Sequence, residues 1–279
     1  MRLDKALTDR GLARSRSHAQ QLVAEGSVLV DGRAASRSSQ QVGETSVLRV
    51  ADGRRQGEVS RAQRKLGRAR SLWPRVFVPA GTAVDLGAST GGFTQELLDA
   101  GWEDVWAIDV GHDQLVDALR SDPRVVVREG VNARDLSQMT DAGLRRCMAR
   151  LVVCDVSFIS LRLVLPTIAW LLQDGGTAVV LVKPQFEVGP ARVRQGIVER
   201  GTDRHEAMAV VLDAAAQAGL RPHGVASSGT PGTHGNVEFV VRLETGDAAR
   251  EVVGAAWHSG LPDVEDPFWN GDDDSALEL

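Results

Sequence analysis

Apolar positions in the first fifty residues recur at two different periods. Leu3, Ala6 and Leu7 fall three and one apart on one helical face, which predicts a first helix that ends at Gly11. Ala19, Leu22 and Val23 repeat the pattern, with Ser15 or Ser17 placed to cap a second helix that closes near Gly26. The period then drops to two in SVLVDG, an alternating strand ending on the turn Asp31-Gly32, and a last strand follows at 46–50, SVLRV. Residues 1–50 thus read as a helix–helix–strand–turn–strand unit. Residues 51–60, ADGRRQGEVS, are polar and Gly-containing and read as a linker.

From about residue 80 the rhythm changes. AVDLGA is an apolar strand, STGGFTQELLDAG a turn and helix, DVWAIDV a second strand and HDQLVDALRSD a second helix. RVVV, LVVCDV and TAVVLVKP are further short apolar runs. Such runs alternating with helices predict an α/β fold with a doubly wound parallel sheet covered on both faces. GVASS and VEFVVRLE come last and are expected as an edge hairpin. We assign 61–260 to this second domain, and 261–279, with seven acidic residues and no basic one, to a disordered, solvated tail.

Composition narrows the partners. The chain of 279 residues is 43% hydrophobic and 25% charged, enough for a real core. No apolar run reaches the roughly 18 residues a membrane helix needs, the nearest, Leu161 to Leu172, being broken by Arg162 and Pro166. The N-terminus lacks a secretion-type apolar segment, so a cytoplasmic protein is expected. Cys147 and Cys154, seven apart, suit neither a disulfide framework nor a zinc site, no metal is expected, and nothing sets an oligomeric state. Net charge of −5 conceals an asymmetry: residues 1–75 carry 16 Lys+Arg against 7 Asp+Glu, the remainder 16 against 30. A basic head on an acidic body points to a polyanion-binding module joined to a domain with another task.

Arg10, Arg14 and Arg16 crowd the start of the second helix, where they can meet phosphates together. The stretch RLDKALTDRGLARSRSHAQQLVAEGSVLVDGR resembles the αL-type RNA-binding motif of ribosomal small-subunit protein four. The resemblance implies that Arg14, Arg16 and His18 face structured RNA and read backbone shape, since deep A-form grooves hide the bases. We add Arg2 and Lys5 to that surface, and Arg61, Arg64 and Arg68 from the basic stretch SRAQRKLGRARSLWPR.

The turn Asp85-Leu86-Gly87-Ala88-Ser89-Thr90-Gly91-Gly92, followed by Phe93, lies between the first strand and helix of the second domain. Its spacing is neither GxGxxG nor GxxxxGK[ST], which disfavours a dinucleotide and excludes a P-loop. An acidic strand end before a glycine turn suits S-adenosylmethionine (SAM), whose sulfonium is cationic. Asp85, Gly87, Ser89, Thr90, Gly91, Gly92 and Phe93 are therefore expected around that cofactor, in a Rossmann-like sheet. Asp109, ending the second strand, can accept ribose hydroxyls. Asn132, after the third strand, can meet the adenine edge, and Asp155, ending the fourth, completes the set.

Only three lysines occur, Lys5, Lys65 and Lys183, in a chain that otherwise uses arginine. Lysine can do what guanidinium cannot, which is lose a proton. Lys183 ends an apolar strand, where burial and neighbouring cations are expected to favour the free amine. Lys65 lies ahead of the sheet, Asp155 and Lys183 end strands, and Glu238 starts the last one once its loop, TPGTHGN, folds over the crevice at the carboxyl ends of the strands. Two amines and two carboxylates suit deprotonation of a weakly acidic alcohol.

The runs DLGASTGGFT, DVGHDQL, NARDL, CDVSFISL, LVKPQFEVG and GNVEF, over residues 84–240, resemble the TlyA family of rRNA 2′-O-methyltransferases, historically called hemolysins, with an FtsJ-like catalytic domain. The resemblance implies methyl transfer from SAM to a cytidine ribose 2′-oxygen in ribosomal RNA, with ribosomal subunits as partners. It maps a catalytic Lys-Asp-Lys-Glu tetrad onto Lys65, Asp155, Lys183 and Glu238. In that reading Lys183 is the base, Asp155 and Glu238 hold Lys183 and the ribose, and Lys65 stabilises the alkoxide. The chain departs from the family in having SRAQRKL where a Gly-rich SRGGxKL is usual, and Gly57-Glu58-Val59 where the linker often carries an aromatic. Its start, almost at the first helix, resembles the short form of the family, which implies action on the large subunit.

Competing readings have weaker support. DVSF stands where base N-methylation would use NPPY, and Cys154, the candidate nucleophile for carbon methylation, points into the core because side chains alternate along a strand. HEAMA lacks the second histidine of a metallohydrolase. A non-catalytic RNA-binding assembly factor would keep the fold without the tetrad's chemistry, and a cytolysin would need a membrane-active segment that the chain does not offer.

Overall fold

The computed structural model describes all residues except 14, 25, 51–58, 140–142, 233–234, 247–259, 264–265 and 272–275. The N-terminal unit comprises α1 (Leu3–Asp9), α2 (Arg16–Ala24), β1 (Val28–Val30), β2 (Arg33–Ala34) and β3 (Leu48–Val50). Ser15 caps α2, its Oγ accepting from the His18 N–H at 3.1 Å. Leu3, Ala6, Leu7, Ala19, Val23 and Val28, the positions picked out by periodicity, form the core of this unit. The linker expected at 51–60 falls mostly outside the described residues.

The second domain is built on one eight-stranded sheet. Its strands are β4 (Thr82–Leu86), β5 (Val105–Asp109), β6 (Val125–Glu129), β7 (Ala149–Cys154), β8 (Leu172–Val182), β9 (Arg221–Ser227), β10 (Phe239–Glu244) and β11 (Ala276–Glu278). Their spatial order is β11-β9-β10-β8-β7-β4-β5-β6. The five strands from β8 to β6 are parallel, whereas β10, β9 and β11 run antiparallel. The sheet is therefore mixed, and β10 lies between β8 and β9 rather than at an edge. A hairpin partner can enter there because Phe239, Val240, Val241 and Leu243 are apolar toward both faces and fully buried.

Alternation along the strands divides the core in two. Val84, Leu86, Val152, Cys154, Ala178, Val180 and Val182 face one cluster with α6 (Leu165–Leu171) and α8 (Gly201–Gln217). Ala83, Leu151, Val153, Val179 and Leu181 face the other, with α3 (Arg61–Leu72) and α4 (Gly92–Asp99). Cys154 is wholly buried in the first cluster, as a strand-end core residue should be.

The acidic tail is a correction. Phe268 and Trp269 have no exposed surface and pack on Phe239 with ring centroids 5.5 Å away, and Ala276–Glu278 pairs with β9 as the sheet's edge. Two large aromatic side chains outweigh the surrounding charge, because burying them releases far more apolar surface than the carboxylates need to keep wet. The run Asp272-Asp273-Asp274 lies outside the described residues. Among the described residues, no helix is long and apolar enough to cross a membrane, and no His/Cys/Asp/Glu group is arranged to hold a metal.

The chain passes from β4 outward to β5 and β6, then returns to the other side of β4 for β7 and β8. That reversal opens a crevice outside the carboxyl ends of β4 and β7, the place where open α/β sheets bind ligands.

Candidate active site

A cavity of about 510 Å³ occupies that crevice, within the roughly 300–1,000 Å³ range of small-molecule sites. Gly87 turns the chain away from β4 at φ +85°, and a Cβ there would stand 2.6 Å from the Asp155 carbonyl oxygen, so only glycine lets the two strand ends approach. Gly87, Ser89, Thr90, Gly92, Phe93, Asp109, Asn132 and Asp155 all line the cavity. At the end of β5 the Asp109 carboxylate accepts from the Gly111 N–H at 2.7 Å and the Ser89 N–H at 2.9 Å. Burial pushes its carboxyl up and these two bonds oppose that shift. The Asn132 side-chain oxygen is taken by the N–H and Nε of Arg134, at 3.1 and 3.3 Å.

Two residues expected at the cofactor stand elsewhere. Asp85 has no exposed surface and is not on the cavity wall; one carboxylate oxygen accepts from Thr94 Oγ1 at 2.7 Å. Burial raises its pKa to about 7, the Thr94 bond opposing and Asp155 and Asp109 adding to the rise. It points inward because β4 side chains alternate, which puts it on the face of Ala83, and the turn begins two residues later at Gly87. Gly91, at φ +101°, is likewise off the wall, and a Cβ there would collide with Leu115 and Leu119, so its role is packing.

Lys65, Asp155, Lys183 and Glu238 all reach the same cavity. They are paired differently from expectation. Lys183 Nζ stands 2.6 Å from Asp155 Oδ1 and donates to Ser157 Oγ at 2.6 Å. Lys65 Nζ donates to Glu238 Oε2 at 2.5 Å. Lys183 therefore meets a carboxylate and a hydroxyl, and Glu238 holds Lys65. Burial pushes the Asp155 carboxyl up, but Lys183 and Lys65 outweigh it and hold the group below its usual range. The loop before β10 closes over the crevice through Pro231 and Gly232, and the Gly232 N–H bonds the Asn236 carbonyl at 2.8 Å.

Lys65 sits in a regular α3 despite the SRAQRKL departure. Gln63 replaces glycine's freedom with bonds of its own, accepting from the Val59 N–H at 3.2 Å and donating to Asp99 at 3.0 Å. Of the expected RNA contacts, Arg61 reaches the cavity rim, and Arg64 and Arg68 are half-buried on α3. Arg2 and Arg16 converge on the buried Asp4 at 2.9 and 3.1 Å while staying exposed, Lys5 is exposed and His18 half-buried. Arg14 lies outside the described residues. Arg10 is a fastener instead, donating to the carbonyls of Gly43, Glu44 and Ser46. Gln20 of α2 also lines the cavity, and Ser15 Oγ donates to the His112 carbonyl at 3.3 Å, bringing the first unit to the rim. Ser157 went unrecognised in the sequence; its one available signal was its place two residues beyond Asp155.

Comparison with known proteins agrees with both units. Residues 58–245 match the FtsJ-like methyltransferase family and residues 1–48 the S4 domain. The 16S/23S rRNA (cytidine-2′-O)-methyltransferase TlyA of Mycobacterium tuberculosis is 42% identical over 88% of this chain and 90% of its own. Hemolysin A of Brachyspira hyodysenteriae is 34% identical over 87% of this chain and 99% of its own. A solved structure of a protein designated a hemolysin, from Streptococcus thermophilus, superposes with a TM-score of 0.64 at 35% identity, covering 91% of this chain and 94% of that one.

Proposed function

The chain belongs to the TlyA family of FtsJ-like rRNA 2′-O-methyltransferases, and we propose that it transfers a methyl group from SAM to the 2′-oxygen of a cytidine in large-subunit ribosomal RNA. The observation that carries this reading is the meeting of two lysine–carboxylate pairs, Lys183–Asp155 and Lys65–Glu238, on the wall of one cavity behind a glycine turn.

The wall fits the cofactor. Asp109 presents a carboxylate at the end of β5, and Ile108, Val110, Val131 and Phe93 supply apolar surface for an adenosine. When bound, SAM supplies an electrophilic methyl carbon on a cationic sulfur. The protein's part is to make the 2′-hydroxyl a nucleophile. Lys183, as the free amine, takes the hydroxyl proton at Nζ, at the hydrogen-bond distance that general-base work requires. Asp155 orients that amine and stabilises the ammonium it becomes. Lys65, held by Glu238, is the cation that meets developing negative charge on the oxygen. Most of the acceleration comes from holding two reactants in line. The N-terminal unit brings Arg2, Lys5, Arg16 and His18 to the RNA backbone, with Arg61, Arg64 and Arg68 extending that surface along α3.

The test is to incubate the protein with labelled SAM and separated ribosomal subunits, then map ribose methylation. Label at a cytidine 2′-oxygen of the large subunit is the expected result. Label on the small subunit as well would widen the substrate range, and label on a base would overturn the assignment.

A further inference from the structure

Building on the methyltransferase reading, we propose that Ser157 is a positioning residue for the base: its hydroxyl sets the rotation of the Lys183 Nζ so that the amine's lone pair is delivered to the 2′-hydroxyl. A lysine nitrogen is a rotatable group, and its free-amine form has two N–H bonds and one lone pair. One partner leaves the lone pair able to sweep a cone about the contact. A directed contact narrows that cone. Asp155 attracts Nζ by charge at 2.6 Å, and Ser157 Oγ accepts a hydrogen bond from it at 2.6 Å.

The surrounding backbone is arranged to keep Ser157 there. Phe158, the next residue, has a φ of +68°, a left-handed conformation that a bulky aromatic residue rarely adopts. The bend is held from both sides. The Phe158 ring packs against Phe186 with centroids 5.5 Å apart. Glu187, whose side chain is 1% exposed, accepts from Ser160 Oγ and from the Leu161 N–H at 2.8 Å. Phe186 and Glu187 belong to α7 (Pro184–Glu187), which starts immediately after Lys183. The loop bearing Ser157 is thus fastened to the very element that follows the base, and the Ser157–Lys183 separation is set from both ends. This assigns work to the buried Glu187 carboxylate, whose pKa burial raises and the Ser160 bond lowers in part.

The experiment compares wild type, Ser157→Ala and Ser157→Thr in steady-state methylation of isolated large ribosomal subunits, with SAM affinity measured by calorimetry. S157A is expected to lower kcat by about 10²-fold, the scale of loss from a misaligned reacting group, with KM for both substrates and SAM affinity little changed. S157T, which keeps the hydroxyl, is expected to recover most of that loss. Unchanged kcat in S157A, or a loss that S157T does not restore, overturns the proposal while leaving the methyltransferase reading intact. A wild-type protein that methylates no subunit overturns both. Should S157A fail to bind SAM, Ser157→Cys keeps a small unbranched side chain with only a weak acceptor, and a wild-type kcat there overturns the proposal equally.

Discussion

Asp4 in the N-terminal unit and Asp155 in the cavity are both carboxylates gathered in by cations, yet the cations differ in type and exposure. Asp4 has no exposed surface, while its partners Arg2 and Arg16 keep side chains 45% and 58% exposed. In the cavity's two lysine–carboxylate pairs the cations are buried as well, Lys65 and Lys183 being 10% exposed each. The Arg2 bond, aided by Gln20 and Arg16 against the pull of burial, holds the Asp4 carboxyl far below its usual range. Guanidinium groups never release a proton at working pH, so this cluster presents permanent charge and donors outward, which suits phosphate. A lysine shielded from water can exchange one. Cation type and exposure, rather than the number of ion pairs, separate the two clusters.

That contrast can be broken most directly at Lys183. Lys183→Ala and Lys183→Arg are both expected to lower kcat by about 10³-fold while SAM binding, followed by calorimetry, persists; an active K183R would mean that charge alone suffices. Next in size is the pair behind it. Glu238→Ala leaves Lys65 buried and unpaired and should cost about 3–5 kcal/mol, read as a fall in melting temperature. Lys65→Met with Glu238→Met should regain most of that stability and stay inactive. Arg16→Ala, at the exposed cluster, should cost no more than about 1 kcal/mol.

The effect expected at Asp85 is set by pH. Its folded pKa, raised from 3.8 to about 7, means the folded chain keeps a proton that the unfolded chain releases at lower pH. The stability this contributes is present in acid and is lost as pH rises from about 4 to about 7. Asp85→Asn mimics the protonated acid, so its melting temperature should match wild type near pH 4 and exceed it progressively up to pH 7. A constant difference across that interval would mean that Asp85 does not titrate there. Smallest of all, Lys5→Ala should reduce the salt dependence of subunit binding by about one phosphate contact and leave kcat at saturating subunits unchanged.

Much of this arrangement is legible along the chain. The N-terminal core positions follow from their spacing, and Asp109, Asp155 and Lys183 are found at strand ends because short apolar runs stop just before them. The harder cases share one cause. Asp85 and Asp109 both sit at the ends of apolar strands before glycine-containing segments, yet one side chain points into the core and the other into the cavity. The pairing of Lys65 with Glu238, 173 residues apart, depends on α3 docking beside β10. Phe268 and Trp269 lie among acidic residues whose charge conceals their destination against Phe239.

The residues by themselves determine the N-terminal core positions, most of the sheet's strands, and that amines and carboxylates suited to proton transfer are available. Tertiary structure alone decides which amine meets which acid, that Ser157 joins Lys183, that β10 enters the sheet beside β8, and that the tail supplies its edge strand. The physical reason is range. Periodicity and turn chemistry act over a few neighbours, whereas pairing, burial and proton affinity depend on distances across a packed sheet, which strand order sets.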